Sequence, residues 1–147
     1  MPATASPATA TVVLPYSRQV LFDLVSDVER YPEFLPWLGR VRVLERSGDT
    51  LRATVSAAHK GYAVDLEARI RLSPPSAMRI QAVGWWFRRL ESRWDLDELP
   101  DGGTRVSHIL DYALSVPLLS AIARPMVEKA VPRVTERFVA RAHALFG

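Results

Sequence analysis

The sequence predicts an α+β domain: an antiparallel sheet laid with its apolar face on one C-terminal helix. Three observations carry that prediction. Residues 62–72 alternate with a period of two, with Tyr62, Val64, Leu66, Ala68, Ile70 and Leu72 on one side and Asp65, Glu67, Arg69 and Arg71 on the other. Val127, Val131, Val134, Phe138, Ala142 and Leu145 recur at helical spacing near the end of the chain. The turn signals Ser47-Gly48-Asp49, Ser73-Pro74-Pro75-Ser76 and Pro100-Asp101-Gly102-Gly103 sit between extended runs, and connections this short suit antiparallel neighbours rather than helical crossovers.

The elements follow in order. Thr9 to Leu14 is β-branched and alternating, and Pro15 ends this first strand. Ser17 is placed to cap a helix whose apolar positions are Val20, Leu21, Leu24, Val25 and Val28. The run Asp27–Trp37 then holds two prolines and the aromatics Tyr31, Phe34 and Trp37. Proline lacks an N–H and restricts the residue before it, so an α-helix cannot continue here. A short, stiff, apolar flap beside the first helix is expected, acting as a lid. Further strands are expected at Val41–Glu45, Leu51–Ala58, 62–72, and around Met78, Ile80 and Ala82. Leu90 to Leu96 follows, with Leu90, Trp94 and Leu96 inward and Glu91, Arg93 and Asp95 outward. The last strand, Arg105–Leu114, turns Val106, His108, Leu110, Tyr112 and Leu114 inward. A short helical piece is expected at Leu118–Arg124, with Pro125 opening a second, longer helix that Pro132 should kink. Residues 1–8 read as a flexible arm and residues 9–147 as one domain. A sheet of seven strands twists and curls, so one helix cannot fill its whole concave face. The space left over is the expected pocket.

Composition narrows the chemistry. Apolar residues make up 48% and charged residues 24%, which suits a globular domain with a real core. No apolar run approaches the ~18–20 residues needed to span a bilayer, and the N-terminus lacks the pattern of a secretory signal. A net charge of +3 reads as a solvated surface with weak attraction to anionic partners. There are no cysteines, which excludes disulfides, thiolate catalysis and Cys-ligated metals and fits a reducing compartment. A cytoplasmic location is expected, with peripheral contact at the inner membrane. His59, His108 and His143 share no metal-ligand spacing, and no GxSxG, GxGxxG or P-loop occurs. No cofactor, no metal and no DNA partner are expected.

A set of motifs carries a family resemblance. They are Leu14-Pro15-Tyr16-Ser17, Leu21-Phe22-Asp23-Leu24-Val25, Asp27-Val28, Tyr31-Pro32-Glu33-Phe34-Leu35-Pro36, Phe87-Arg88-Arg89-Leu90, Trp94 with Leu96, Thr104-Arg105-Val106, Leu110-Asp111-Tyr112, Phe138 and Arg141-Ala142. In these the chain resembles the START-like, helix-grip superfamily, and within it the coenzyme-Q-binding, polyketide-cyclase-like branch. The resemblance implies a curved seven-stranded antiparallel sheet gripping a long C-terminal helix, with two short helices after the first strand. It implies binding and carriage of a lipophilic molecule, such as a polyprenyl-quinone or lipid, between sheet and helix. Two alternatives come with it: an aromatase/cyclase acting on a poly-β-ketone in the same cavity, and a ribosome-associated toxin that interferes with subunit joining. The chain departs from the family pattern at Trp85-Trp86, at Ser92-Arg93 and at His108, where relatives carry Gly-Pro, Gly-Gly and Phe.

The residues expected to line the ligand site are Tyr31, Phe34, Trp37, Tyr62, Leu66, Trp94, His108, Leu110, Tyr112, Val134 and Phe138. His108 is either a core histidine with satisfied ring nitrogens or a polar handle for a quinone or ketone oxygen; in a cyclase it would be the acid/base. Trp85, Trp86, Arg88 and Arg89 form a small basic-aromatic cluster suited to a membrane surface. Arg69 and Arg71 are expected on a solvated face, paired with Glu67 and Asp65.

Overall fold

The computed structural model describes the backbone of residues 8–59, 62–84, 87–114 and 120–147, and their side chains apart from 57–59, 62–64, 120–124 and 126–127. Seven strands form one antiparallel sheet: β1 (Ala8–Leu14), β2 (Leu38–Ser47), β3 (Thr50–His59), β4 (Tyr62–Ser73), β5 (Ala77–Gly84), β6 (Phe87–Glu98) and β7 (Thr104–Leu114). Their spatial order is β1-β7-β6-β5-β4-β3-β2, a meander whose last strand closes against the first. Between β1 and β2 lie α1 (Arg18–Ser26) and a 3-10 helix (Val28–Glu33), and α2 (Ser120–Phe146) ends the chain. The order strand, two short helices, six strands, long helix is the one expected. β1 begins at Ala8, inside the expected arm; the rest of that arm lies outside the described residues.

Local chemistry explains the boundaries. The Ser17 hydroxyl oxygen accepts from the Val20 N–H at 3.4 Å and caps α1. α1 ends at Ser26, where Asp27 leaves helical backbone at φ −85° and ψ 68°, and the flap that follows is a 3-10 helix with Pro32 inside it. Register shifts at Leu38/Arg40, Val43/Glu45, Ala82/Gly84 and Phe87/Arg89 bend the sheet. At Gly84 the backbone has φ +137°, and a Cβ there would stand 2.9 Å from the Asp65 carbonyl oxygen. Only glycine permits that approach.

The helices tile the inner face unevenly. α2 packs chiefly on β1 and β7, α1 on β6 and β5, and the 3-10 helix on β2. Cross-strand rows on this face run Leu72–Met78–Trp94–His108, then Leu51–Ile70–Ile80–Ser92–Leu110, then Ala53–Ala68–Ala82–Leu90–Tyr112.

Three local expectations change. The C-terminal helix is one continuous element from Ser120 to Phe146, with Pro125 and Pro132 both inside it, rather than two pieces. Leu145 leaves the buried stripe and is 51% exposed, lining a surface groove shared with α1 and Phe34. Arg69 and Arg71 do not pair with Glu67 and Asp65. The register gives Glu67 to Arg52 at 3.6 Å, and Asp65 accepts from Ser56 at 2.7 Å.

Candidate functional site on the inner face

The site begins with a cross-strand pair. Trp94 on β6 faces His108 on β7, and their rings stack 4.1 Å apart at an interplanar angle of 9°. Phe138 of α2 packs on Trp94 at 4.7 Å, tilted by 56°. The 3-10 helix and the residue after it add two more rings, with Phe34 4.9 Å and Tyr31 5.2 Å from Phe138, both edge-on. Edge-to-face and offset arrangements are favoured by aromatic quadrupoles, so this cluster packs as an ordered solid.

The flap is fastened on every side. The Tyr31 hydroxyl donates to the Val25 carbonyl. Glu29 accepts from the Val43 N–H at 3.0 Å. Glu33 accepts from Arg141 at 2.6 Å, and the Arg141 guanidinium lies 5.4 Å from the Phe34 ring centre. Tyr31 and Leu35 are buried, while Phe34 and Trp37 are half-buried. Burial, and secondarily the Asp27 charge, pushes the Tyr31 phenol far above its ordinary value, so it stays a neutral donor.

His108 is the polar centre. It is 4% exposed. Its Nε2 lies 2.9 Å from the Ser92 hydroxyl, and its Nδ1 is buried without a partner. Burial lowers its pKa to about 4, so the ring is neutral at pH 7. If Ser92 donates to Nε2, a single buried group, the Nδ1 N–H, is left unmatched. If Nε2 donates instead, both the serine proton and the Nδ1 lone pair go unmatched. The first arrangement costs less, which makes Nδ1 the proton carrier and an unused donor.

The space around this cluster is small. A slit of about 20 Å³ lies between α1, the sheet and α2, lined by Val12, Leu14, Leu21, Trp94, Thr135 and Phe138 among others. That is room for about one water molecule. Beside Phe138, the described side chains of α2 pack against the sheet with little more room than this slit. Cover thins further along the face. Leu66, Leu90, Leu110 and Tyr112 are half-buried, and beneath them the row of Ala53, Ala68 and Ala82 makes a shallow floor.

The structure brings Tyr31, Phe34, Trp94, His108 and Phe138 into one cluster. It sets Leu66, Leu110 and Tyr112 on the thinly covered half of the face, and Val134 and Trp37 at the edge of the core. The side chain of Tyr62, and Trp85 and Trp86, lie outside the described residues. Arg88 is exposed, and Arg89 is held by Asp111 at 2.9 Å. Ser92 was not among the expected residues, although its parity with Leu90 and Trp94 points it inward. Two further features were missed: Thr135, whose hydroxyl donates to the Val131 carbonyl at 2.9 Å, and a surface groove of about 240 Å³ between α1, the flap and the end of α2. Among the described residues no three His, Asp or Glu side chains lie close enough to hold a metal ion, and no helix is long and apolar enough to cross a membrane.

Comparisons with known proteins agree with this architecture. The family described as polyketide cyclase / dehydrase and lipid transport matches residues 14–139. Ribosome association toxin RatA of Pseudomonas aeruginosa is 31% identical over 93% of this chain and 95% of its own. The mitochondrial coenzyme Q-binding protein coq10 of Schizosaccharomyces pombe is 24% identical, over 90% and 84% respectively. A START superfamily protein from Mycobacterium smegmatis superposes with a TM-score of 0.84 at 17% identity, covering 96% of this chain and 99% of that one.

Proposed function

Because the chain belongs to the polyketide cyclase / dehydrase and lipid transport family, we propose that it binds and carries a lipophilic small molecule, a polyprenyl-quinone or lipid, on the inner face of its sheet. The observation that carries this reading is the change of cover along that face. Trp94 and His108 are buried, while Leu66, Leu90, Leu110 and Tyr112, one to three rows further on, keep apolar surface partly open. Such a surface gains by covering a greasy guest, at about 25 cal/mol per Å² removed from water. The Nδ1 donor of His108 is buried one row from this region, and once uncovered by a guest it suits a carbonyl oxygen, so shape and apolar area would select the guest and one hydrogen bond would orient it. The flap is pinned at Tyr31 and Leu35, so access is governed by its half-buried residues Phe34 and Trp37.

A cyclase would need several polar groups converging on a polyketone, and among the described inner-face residues Ser92 and His108 are the polar pair that meets there. Carriage is therefore the better reading. It places the protein in the cytoplasm, touching the inner-membrane surface when it loads. Organic extraction of the purified protein followed by mass spectrometry is expected to yield a prenyl-quinone or another lipid near one per chain. A protein that comes out clean, and that takes up no quinone on mixing, overturns the reading. Replacing His108 with Phe separates the two activities: turnover by a cyclase would vanish, whereas carriage would weaken by no more than about tenfold, the worth of one hydrogen bond.

A second reading, association with the ribosome, is favoured by the 31% identity to the Pseudomonas protein and by a cation set that is almost all arginine, 17 of 19. Salt-sensitive co-sedimentation with ribosomal subunits tests it, and failure to co-sediment at low salt removes it.

A further inference from the structure

On the outer face of the sheet, the register sets three arginines in one line across adjacent strands: Arg71 opposite Arg79, and Arg79 opposite Arg93. Arg69, one row away, stands opposite Arg52. Like charges directly opposite one another in a sheet are destabilising. Here the compensation is incomplete. Arg79 has Glu91 at 3.4 Å, Arg93 has Asp95 at 3.1 Å, and Arg52 has Glu45 at 3.3 Å and Glu67 at 3.6 Å. Arg69 and Arg71, both exposed, have no carboxylate partner among the described residues. A strand spacing of about 4.8 Å holds the three guanidinium stems along a line of about 10 Å.

We propose that this outer face of β3 to β6 docks on the phosphate backbone of RNA, with Arg71, Arg79 and Arg93 as the line of contact and Arg69 beside them. Arginine presents a planar fork of donors that matches phosphate oxygens, and it keeps donors to spare when a carboxylate takes one edge. The cross-strand neighbours of the line are Thr50 and Ile109, and Gln81 flanks Arg69, so the patch offers little apolar anchorage. Interfacial binding to lipid needs such anchors, which is why RNA fits this face better than an anionic membrane. The proposal deepens the ribosome reading and rests on it for its biological setting.

The test uses the full chain, a fluorescein-labelled RNA hairpin and anisotropy titrations from about 50 to 200 mM salt. R71Q/R79Q is compared with wild type and with R133Q/R137Q, which removes equal charge from the exposed side of α2. Wild type is expected to bind with a steep salt dependence. R71Q/R79Q is expected to lose about two units of that slope and at least tenfold in affinity at low salt, while R133Q/R137Q keeps the slope. Relief of the like-charge row should leave the thermal midpoint of R71Q/R79Q unchanged or raised, so misfolding is told apart from lost contact. The proposal is overturned if R71Q/R79Q keeps the wild-type slope, if R133Q/R137Q loses as much, or if wild type ignores the hairpin but binds phosphatidylglycerol vesicles. Parallel sedimentation with ribosomal subunits separates the two levels. Co-sedimentation that survives R71Q/R79Q overturns this surface and leaves the ribosome reading standing. Hairpin binding through these arginines without co-sedimentation supports the surface and removes the ribosome reading.

Discussion

His108 shows how one buried ring ties stability to pH. Unfolded, its imidazole titrates near 6.5; folded, its pKa is lowered to about 4 by burial. Above both values neither state binds the proton. Between them the unfolded chain takes up a proton that the native state refuses. Stability therefore falls as pH drops from about 6.5 to about 4, by on the order of 3 kcal/mol, and this contribution levels off below that. Urea unfolding at a series of pH values should show the decline in wild type and a flatter profile in H108F. Phe also suits the stacking position against Trp94 and leaves no unmatched Nδ1, so H108F is expected to be at least as stable as wild type at pH 5. An unchanged pH profile would mean that the ring is hydrated in the native state.

At the scale of elements, α2 and the flap meet through the ring of Phe138, with the Arg141–Glu33 ion pair beside it. Phe138 touches Trp94 of β6 and both Tyr31 and Phe34 of the flap, three rings from two segments. Truncating it to alanine removes a buried phenyl ring and leaves a cavity that the stacked Trp94–His108 pair cannot collapse into. F138A is expected to lose about 3–5 kcal/mol in denaturant unfolding, with F138L losing much less. The same variant should loosen the flap, seen as faster amide exchange at Phe34 and Leu35, whose N–H groups both bond the Tyr31 carbonyl. A loss under about 1 kcal/mol would mean that the flap is held by its polar fastenings, Glu29 to Val43 and Glu33 to Arg141, and not by the rings.

For the whole molecule, closure of β7 on β1 decides where stability is greatest. β6 and β7 are flanked on both sides by paired strands, whereas β1 and β2 are the edges. Thr104, fully buried, donates to the Tyr16 carbonyl at 2.8 Å and locks that closure. Hydrogen exchange should find the slowest amides in Trp94–Leu96 and Val106–His108, opening only with global unfolding, and faster ones along β2. Uniform exchange across all seven strands would contradict this ranking.

Much of the fold was legible because its signals are local. The alternation in 62–72 named both faces of β4, the Ser17 cap placed α1, and the short turn motifs placed the hairpins. The inward parity of His108, Trp94 and Phe138 was also readable, since a period of two or 3.6 needs only the neighbouring residues. What could not be read depends on register and on relative placement. Ser92 becomes a partner of His108 only once β6 and β7 are aligned. Arg69 and Arg71 were expected to find acids on their own strand, but side chains two apart on a strand compete with cross-strand neighbours, and Arg52 took Glu67. Leu145 kept its periodicity and lost its burial, because periodicity says which way a residue points and not whether anything lies there. The sequence by itself determined the elements, their faces and the antiparallel sheet under a long helix, since these follow from spacing and backbone chemistry along the chain. Only the tertiary structure decided that the space near α2 is packed with rings, that the thin cover lies over β4, β6 and β7, and that three arginines share a line. Each of these depends on segments that are distant in sequence and become neighbours only when the sheet closes.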